Sequence, residues 1–411
     1  MKKCEKCGKM IPNEAIFCSE CGFKNQQIKV EKILKEKKPK SRIIILCLIC
    51  VSIIAIGIVY TCMKNNDDEK NGVNNGRTVI YNNTIYFIKN RILYKANADG
   101  TEQKIVKKLP HKQISQDGED EGYSNITVYK NRIYAIRWVN PSMTNEYYIF
   151  SVRLDGTGYK KEVELPDIEK EDRGRYTSNI ERFSIKNNYI YYICSQCDDN
   201  DEIKYSVYKQ KIGKKNRVKI KYEETDLPTL LGENIYYIKM NSLYHTSKIM
   251  KMNLDTGKES LGLDAQDVNI SSIGTMNVSK NQLIFSGATN IVWTKLGDKK
   301  KYNQIQVTSD SDDRMVVIIN SNEEEVIYQI YNIYSKEGKI YKLNLKSKKI
   351  EEILSLENLE YEIRNIDQVG DNIAVFGFLD EAWTKEFVVL VQKKEGIDYN
   401  NIIRRKIKQC Q

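Results

Sequence analysis

The sequence predicts an all-β chain, a β-propeller of seven blades with six as the alternative, preceded by one membrane helix and a small N-terminal ribbon. Three observations support this: a strand pattern that recurs seven times, a long uncharged run, and two CxxC pairs near the N-terminus. They divide the chain into a ribbon (1–25), a basic linker (26–42), a transmembrane helix (43–63), a polar linker (64–77) and the propeller (78–408).

The ribbon is predicted from two cysteine pairs, Cys4 with Cys7 and Cys18 with Cys21, each followed by a glycine. A CxxC turn lets two thiolates converge on one ion, and the glycine supplies the positive φ that closes the turn. Four thiolates complete the closed shell of a structural zinc site. We therefore predict a zinc ribbon in which these cysteines bind structural Zn²⁺, with a pair of disulfides as the alternative. The segment resembles the short zinc ribbons at the N-termini of many bacterial membrane proteins.

The membrane helix is predicted from residues 43–63, a run of 21 positions without a charged side chain. At ~1.5 Å per residue the run reaches about 30 Å, the thickness of the hydrocarbon core. Residues 1–42 hold twelve Lys and Arg against five Asp and Glu, and basic residues accumulate on the cytoplasmic side. We therefore expect a single-pass cell-membrane protein with a cytoplasmic N-terminus and an extracellular propeller. A signal peptide, a lipoprotein anchor at Cys62 and a buried soluble helix fit less well.

The propeller is predicted from seven units of four short strands, in which apolar and polar positions alternate. Asn-Asn, Lys-Asn or Glu-Asn recurs at the first hairpin, and Asp-Gly-Thr or Asp-Thr-Gly recurs between the third and fourth strands. Four strands per unit at a period of ~40–50 residues are typical of a β-propeller. The last unit ends with NIIRRKI at 401–407 as its fourth strand. Six blades would result if the divergent fifth or seventh unit forms no blade. A pair of β-sandwiches or a β-solenoid fits less well, because sandwiches seldom repeat one turn chemistry seven times and solenoid coils are shorter.

The repeat motifs also resemble a known family. The stretches RLDGTG and NLDTGK, with the strands IYFI, IYAI and IYYI, are similar to the YWTD-type propellers of the low-density-lipoprotein-receptor-related family. They resemble still more a bacterial propeller domain of unknown function found behind a zinc ribbon and a membrane helix. The resemblance spans residues 78 to about 408. Because every tetrad departs from YWTD, it implies the fold and transfers no receptor ligand.

Residue types for catalysis are sparse, and we predict no catalytic residue. The two histidines, His111 and His245, lie far apart in the sequence and supply no triad. Asp99, Asp155 and Asp255 fall in the repeat turns and are assigned to turn hydrogen bonds. The acidic stretches 116–121, 198–202 and 310–313 are interpreted as solvated charge, with calcium binding as the alternative. A third CxxC, Cys194 and Cys197, is expected to form a hairpin disulfide or two free thiols.

These observations favour a membrane-anchored, non-enzymatic binding or scaffold protein. Its extracellular propeller would bind a protein, a peptide or a cell-envelope glycan, and its ribbon would contact a cytoplasmic protein partner. No nucleic acid is expected on the propeller, because residues 43–411 carry only +3 of the net charge of +10. The alternatives are an extracellular carbohydrate-active hydrolase or lyase, which needs convergent carboxylates, and a transmembrane signal relay.

Overall fold

The computed structural model divides the chain into two compact units, Met1–Lys64 and Asn65–Gln411. Each unit is built around its own core and is described by itself. The structure describes residues 1–24 apart from 14 and 16, and residues 76–410 outside gaps at 111–119, 141–145, 166–177, 198–202, 221–227, 242–245, 269, 271–272, 280, 299–300, 310–313, 333–337, 357–361, 371, 380–384 and 395–396.

The described residues of the first unit form one short antiparallel ladder. Strand β1 (Lys2–Lys3) pairs with β2 (Met10–Ile11), and an isolated bridge joins Phe17 to Lys24. Its buried apolar residues are Cys4, Ile11 and Cys18. A core this small stabilises the chain weakly, since each fully buried aliphatic side chain contributes about 1.5–3 kcal/mol.

The second unit consists of seven antiparallel sheets, each a meander of consecutive strands. Blade one consists of β3 (Thr78–Tyr81), β4 (Thr84–Lys89), β5 (Ile92–Asn97) and β6 (Lys104–Lys108). Blade two consists of β7 (Asp120–Tyr129), β8 (Arg132–Asn140), β9 (Glu146–Arg153) and β10 (Lys160–Glu164). Blade three consists of β11 (Ser178–Lys186), β12 (Tyr189–Cys197), β13 (Ile203–Lys211) and β14 (Arg217–Ile220). Blade four consists of β15 (Thr229–Leu231), β16 (Asn234–Asn241), β17 (Thr246–Asn253) and β18 (Glu259–Asp264), followed by a 3₁₀ turn (Ala265–Val268). Blade five consists of β19 (Met276–Val278), β20 (Gln282–Ser286), β21 (Asn290–Lys295) and β22 (Tyr302–Gln306). Blade six consists of β23 (Arg314–Ser321), β24 (Glu325–Asn332), β25 (Gly338–Asn344) and β26 (Ile350–Ser355). Blade seven consists of three strands, β27 (Glu362–Val369), β28 (Asn372–Phe378) and β29 (Glu386–Gln392).

The sheets are arranged in a closed ring. The first strand of each blade lies beside the first strand of the next, and β27 of blade seven lies beside β3 of blade one. This confirms the all-β, seven-bladed propeller. The six-blade alternative is wrong, because the fifth and the seventh units each form a sheet of their own.

The core of the propeller lies between consecutive blades. Ile85 and Phe87 of blade one, for example, pack against Val388 and Leu390 of blade seven. The second strands are covered on both faces and are therefore almost continuously apolar, as β4 shows with TIYFIK, whereas an outermost strand such as β6 reads KIVKK. Lysine on an outer strand also discourages pairing with other chains.

The predicted turn chemistry is present. The hairpins after the first strands place 82–83, 130–131 and 187–188 at positive φ, between 46° and 66°. Two consecutive left-handed residues make a type I′ turn, whose twist matches that of the flanking strands. Asparagine tolerates this conformation better than other non-glycine residues, which explains why it recurs there.

Blade seven ends in a helix where the sequence pattern predicts a fourth strand. Helix α1 (Tyr399–Lys408) lies against β26 and β29 and buries Tyr399, Ile403 and Ile407. These residues recur every four positions, on one helical face, and the Asp398 carboxylate accepts from the Asn401 amide at 3.0 Å as an N-cap. The strand prediction for NIIRRKI is wrong because this spacing buries one side of a helix.

No helix in the described part of the chain is long and apolar enough to cross a membrane; α1 has ten residues, several of them charged. The described residues thus supply no helix for the predicted single-pass anchor or for the localisation inferred from it. The run at 43–63 itself lies outside the described residues.

Candidate metal centre and polar belt

The four N-terminal cysteines lie in two matching turns. Gly8 and Gly22 have φ of +74° and +66°, and each glycine N–H donates to the carbonyl of the first cysteine of its pair, Cys4 or Cys18, at 2.9 Å. No atom lies within 4 Å of the position that a Cβ would occupy at either glycine. Backbone conformation rather than space therefore favours glycine here.

The turns bring the four predicted ligands together. Their sulfur atoms all lie within 4.8 Å of one another, with Cys4 Sγ 3.6 Å from Cys21 Sγ and Cys7 Sγ 3.7 Å from Cys18 Sγ. A tetrahedron with metal–sulfur bonds of ~2.3 Å has edges of about 3.8 Å, so both distances fit one bound ion. All four cysteines are free thiols, so the disulfides of the alternative are not formed in this structure.

Main-chain N–H groups around the sulfurs favour thiolates. The Cys7 amide is the main cause that lowers the pKa of the Cys4 thiol to about 6, and the Cys21 amide lowers the pKa of Cys18. The Phe23 amide favours a lower pKa for the Cys21 thiol as well, but desolvation and the neighbouring thiols together raise the pKa of Cys21 to about 12. Because the thiolate is the form that binds metal, the turns prepare part of the cluster for a cation.

In the propeller, a buried carboxyl group joins the last blade to the first. Asp367 of β27 accepts from the Arg77 amide at 2.5 Å and from the Thr78 hydroxyl at 3.0 Å, and its second oxygen accepts from Asn365 Nδ2 at 3.0 Å. Asp367 is 3 % exposed. Desolvation raises its pKa to about 6, although the contacts with Arg77 and Thr78 favour the charged form.

The Arg77 side chain completes this junction. Its guanidinium pairs with the Glu386 carboxylate of β29 and lies 4.9 Å from the centre of the Phe376 ring. Glu386 also accepts from the Asn90 amide at 2.6 Å. Side chains thus connect blades one and seven, which share no strand.

A second charged group lies on the first strand of blade three. The Glu181 carboxylate accepts from Ser195 Oγ at 2.5 Å, and the Glu181 carbonyl accepts from Asn125 Nδ2 of blade two at 2.9 Å. Arg182 donates to Thr229 Oγ1 of blade four at 3.0 Å, and burial lowers the pKa of its guanidinium. Its Nε has no hydrogen-bond partner in the described part of the chain.

We call these polar groups on the first strands the polar belt: Thr78, Asn125, Glu181, Arg182, Thr229, Asn365 and Asp367. Three of its strands carry a β-bulge at this level, with register shifts at 124–127, 180–182 and 363–365. A bulge re-aims side chains that a regular pleat would direct elsewhere. None of these residues was predicted from the sequence, and the interrupted alternation at Asn125 and Glu181 is the signal that could have revealed them.

The predicted turn roles are confirmed for two of the three aspartates. Asp155 accepts from the Thr157 amide at 2.8 Å, and Asp99 accepts from its own turn in the same way. In the blade-four turn Asn253 makes these bonds instead, and Asp255 accepts from Lys209 Nζ at 2.6 Å. Both histidines, the stretches 198–202 and 310–313, and most of 116–121 lie outside the described residues.

The third CxxC does not form a disulfide within its strand. Cys194 and Cys197 are both in β12, three positions apart, so their Cα atoms are about 10 Å from each other, beyond the ~7 Å limit of a disulfide. Cys194 is a buried free thiol. Burial raises its pKa to about 12, which makes it unreactive.

No family model matches the sequence, and no curated protein matches it. A prolyl endopeptidase structure is similar at 11 % identity over 81 % of this chain and 52 % of that chain, with a TM-score of 0.48; this chain thus spans about half of that enzyme. An oligogalacturonate lyase in complex with manganese is similar at 10 % identity over 64 % and 72 %, with a TM-score of 0.39. The nidogen/laminin complex is similar at 12 % identity over 65 % and 91 %, with a TM-score of 0.37.

These similarities support a propeller with YWTD-like neighbours. The similar propellers are chiefly those of peptidases and oligogalacturonate lyases, unlike the non-enzymatic binding or scaffold protein predicted from the sequence. Identities of 9–12 % establish the fold alone and assign no residue a role.

Proposed function

We propose that the N-terminal unit binds one structural zinc ion through Cys4, Cys7, Cys18 and Cys21. The supporting observation is the pair of sulfur–sulfur distances, 3.6 and 3.7 Å, close to the edge of a zinc tetrathiolate. Zinc suits this site because it accepts tetrahedral thiolate shells without a preference from its d-electrons. Four protein ligands leave no open position, so the ion would stabilise the fold of the unit and would take no part in catalysis.

Metal analysis of the purified full-length chain tests this proposal. We expect one zinc per chain, and we expect Cys7→Ser to lose it because three thiolates no longer close the shell. Cys410→Ser is the matched control, since Cys410 is also an exposed thiol but lies outside the cluster. Iron in place of zinc, or a Cys7→Ser variant that retains one zinc per chain, would contradict the proposal.

For the propeller we propose a carbohydrate-directed hydrolase or lyase in which carboxyl groups of the polar belt serve as acid and base. The supporting observation is a pair of carboxyl groups, Asp367 and Glu181, on first strands of the same ring. A pKa near 6 for Asp367 suits a group that exchanges a proton near neutral pH, and cleavage of a glycosidic bond uses two carboxyl groups. The Arg182 guanidinium, with its Nε unsatisfied, would stabilise negative charge that develops on the substrate.

Activity assays on a panel of saccharides and peptides test this second proposal. Release of reducing ends indicates a hydrolase, absorbance of an unsaturated product indicates a lyase, and release of amines indicates a peptidase. We expect Glu181→Gln and Asp367→Asn each to lower kcat/KM at least about tenfold, and Asp155→Asn, in a remote turn, to leave it unchanged. Cleavage of peptides alone, or no turnover by the folded protein on the whole panel, would overturn the proposal.

A further inference from the structure

An unusually basic surface lies on the outer half of blade three. Residues 203–220, which cover β13, β14 and the turn between them, contain six lysines and one arginine and no acidic residue. Residues 43–411 carry only +3 in total, so the rest of that region sums to −4. We call this segment, with the adjoining Lys160 and Lys161 of β10, the blade-three basic surface.

Four lysines of this surface have no counter-charge among the residues that the structure describes. Lys211, Lys214, Lys215 and Lys219 are exposed, and none forms an ion pair with another residue that the structure describes. Lys209, Lys160 and Lys161 differ, because each ammonium group is paired with a neighbouring carboxylate. Neighbouring cations with no described counter-charge repel one another, and an anionic ligand would relieve this repulsion.

The backbone beneath these lysines is held in place. Gln210 Nε2 donates at 2.7 Å both to the Lys214 carbonyl and to the Glu162 carbonyl of blade two. Gly213 closes the turn with φ of +74°, and the Lys214 amide donates to the Lys211 carbonyl at 3.0 Å. A turn that is already ordered loses little conformational entropy on binding.

The surface continues along the fourth strand and onto blade two. Arg217 donates to the Glu164 carbonyl of blade two at 3.2 Å, and its guanidinium lies 5.8 Å from the centre of the Tyr208 ring. Lys161 lies 4.4 Å from the ring of Tyr148 on blade two, while Val218 is 64 % exposed between the cations. The result is an elongated row of positive charge with an apolar patch.

From this charge and shape we infer that the blade-three basic surface binds an anionic polysaccharide, a glycan chain with regularly spaced carboxylates or sulfates. Charge complementarity supports a polyanion, because each neutralised lysine also releases counterions. The tyrosines of the surface are buried or half-buried beneath cations, so they offer no open ring for stacking nucleic-acid bases. The inference rests on the proposed carbohydrate-directed activity for the saccharide class and names the charge of the substrate.

Binding of the full-length protein to polygalacturonate, measured by calorimetry at several salt concentrations, tests the inference, with dextran as the neutral saccharide. We expect binding to polygalacturonate alone, and we expect Lys214→Glu with Lys215→Glu to weaken it at least tenfold and to flatten its salt dependence. Lys346→Glu with Lys348→Glu is the matched control. It changes the net charge equally, in the equivalent turn of blade six, and should alter affinity less than twofold.

Equal weakening by both double variants would reveal a response to net charge and would overturn the inference. So would the absence of binding, or tighter binding of a DNA oligomer of equal charge. The inference and the proposed activity fail separately. A chain that binds polygalacturonate through blade three but cleaves no saccharide would support the binding surface and contradict the proposed activity. Glu181→Gln should remove the activity while leaving this binding unchanged.

Discussion

Replacing Asp367 with asparagine tests whether the carboxyl group between blades one and seven makes the propeller sensitive to pH. Asparagine preserves an acceptor for the Arg77 amide and the Thr78 hydroxyl. The Nδ2 group of the new asparagine would face Asn365 Nδ2, which in the wild type donates to the Asp367 carboxylate at 3.0 Å. The substitution therefore loses about one hydrogen bond, roughly 1 kcal/mol at every pH, and also removes a titrating group.

The magnitude of the pH effect follows from the pKa of about 6 in the folded chain against an ordinary value of 3.8. An acid whose pKa is raised by folding binds more protons in the folded state between those two values, so the free energy of unfolding falls as pH rises through that window. At about 1.4 kcal/mol per pKa unit, the raised pKa contributes about 3 kcal/mol well below both values. About 2 kcal/mol of this is lost between pH 4 and 6, and nearly all of it is lost by pH ~7.

Urea unfolding of the full-length chain at pH 4, 5, 6 and 7, followed by tryptophan fluorescence, measures this effect. Trp138, Trp293 and Trp383 all belong to the second unit, so the signal reports on the propeller. Subtracting the Asp367→Asn free energy of unfolding from the wild-type value cancels the other titrations, and this difference should fall by about 2 kcal/mol between pH 4 and 6. The control is Asp99→Asn, where the Thr101 hydroxyl lowers the pKa of Asp99, so the difference should change in the opposite direction.

A difference for Asp367 that stays constant with pH, or that grows as pH rises, would refute this reasoning. It would mean that the Arg77 contacts outweigh desolvation, so that folding lowers the pKa of the carboxyl group instead of raising it.

Three further predictions concern stability and are measured by the same urea unfolding. Arg77→Leu leaves the Glu386 carboxylate, 9 % exposed, without its cation and should cost about 3 kcal/mol; a loss below about 0.5 kcal/mol would contradict the pairing. Ile403→Ala opens a cavity under α1, where the side chain is fully buried, and should cost about 2–5 kcal/mol; an unchanged midpoint would show that the helix is not packed there. Gly156→Ala places a Cβ 2.3 Å from a main-chain oxygen and should cost more than Gly257→Ala, which has a similar positive φ and open space; equal losses would show that only the backbone conformation matters.

Local patterns account for the parts of the architecture that the sequence predicted well. The spacing of Cys4, Cys7, Cys18 and Cys21 identified the four thiols that meet, because a CxxC turn is a local structure. The repeated turns identified the blades for the same reason, since a type I′ hairpin depends on two residues and their neighbours. The function hypothesis rested on the scarcity of histidine, which says nothing about catalysis by carboxyl groups, and carboxyl groups are abundant in the chain.

By itself, then, the sequence determined the all-β class, the seven repeats and the cysteine cluster. Only the tertiary structure decided that blade seven ends in a helix, that Asp367 joins the ring, and that the Glu181 carbonyl and the Arg182 side chain contact neighbouring blades. Arg77 and Asp367 are 290 positions apart, and no local pattern brings them together. The pKa of Asp367 is governed by burial, which is set by the packing of the whole ring.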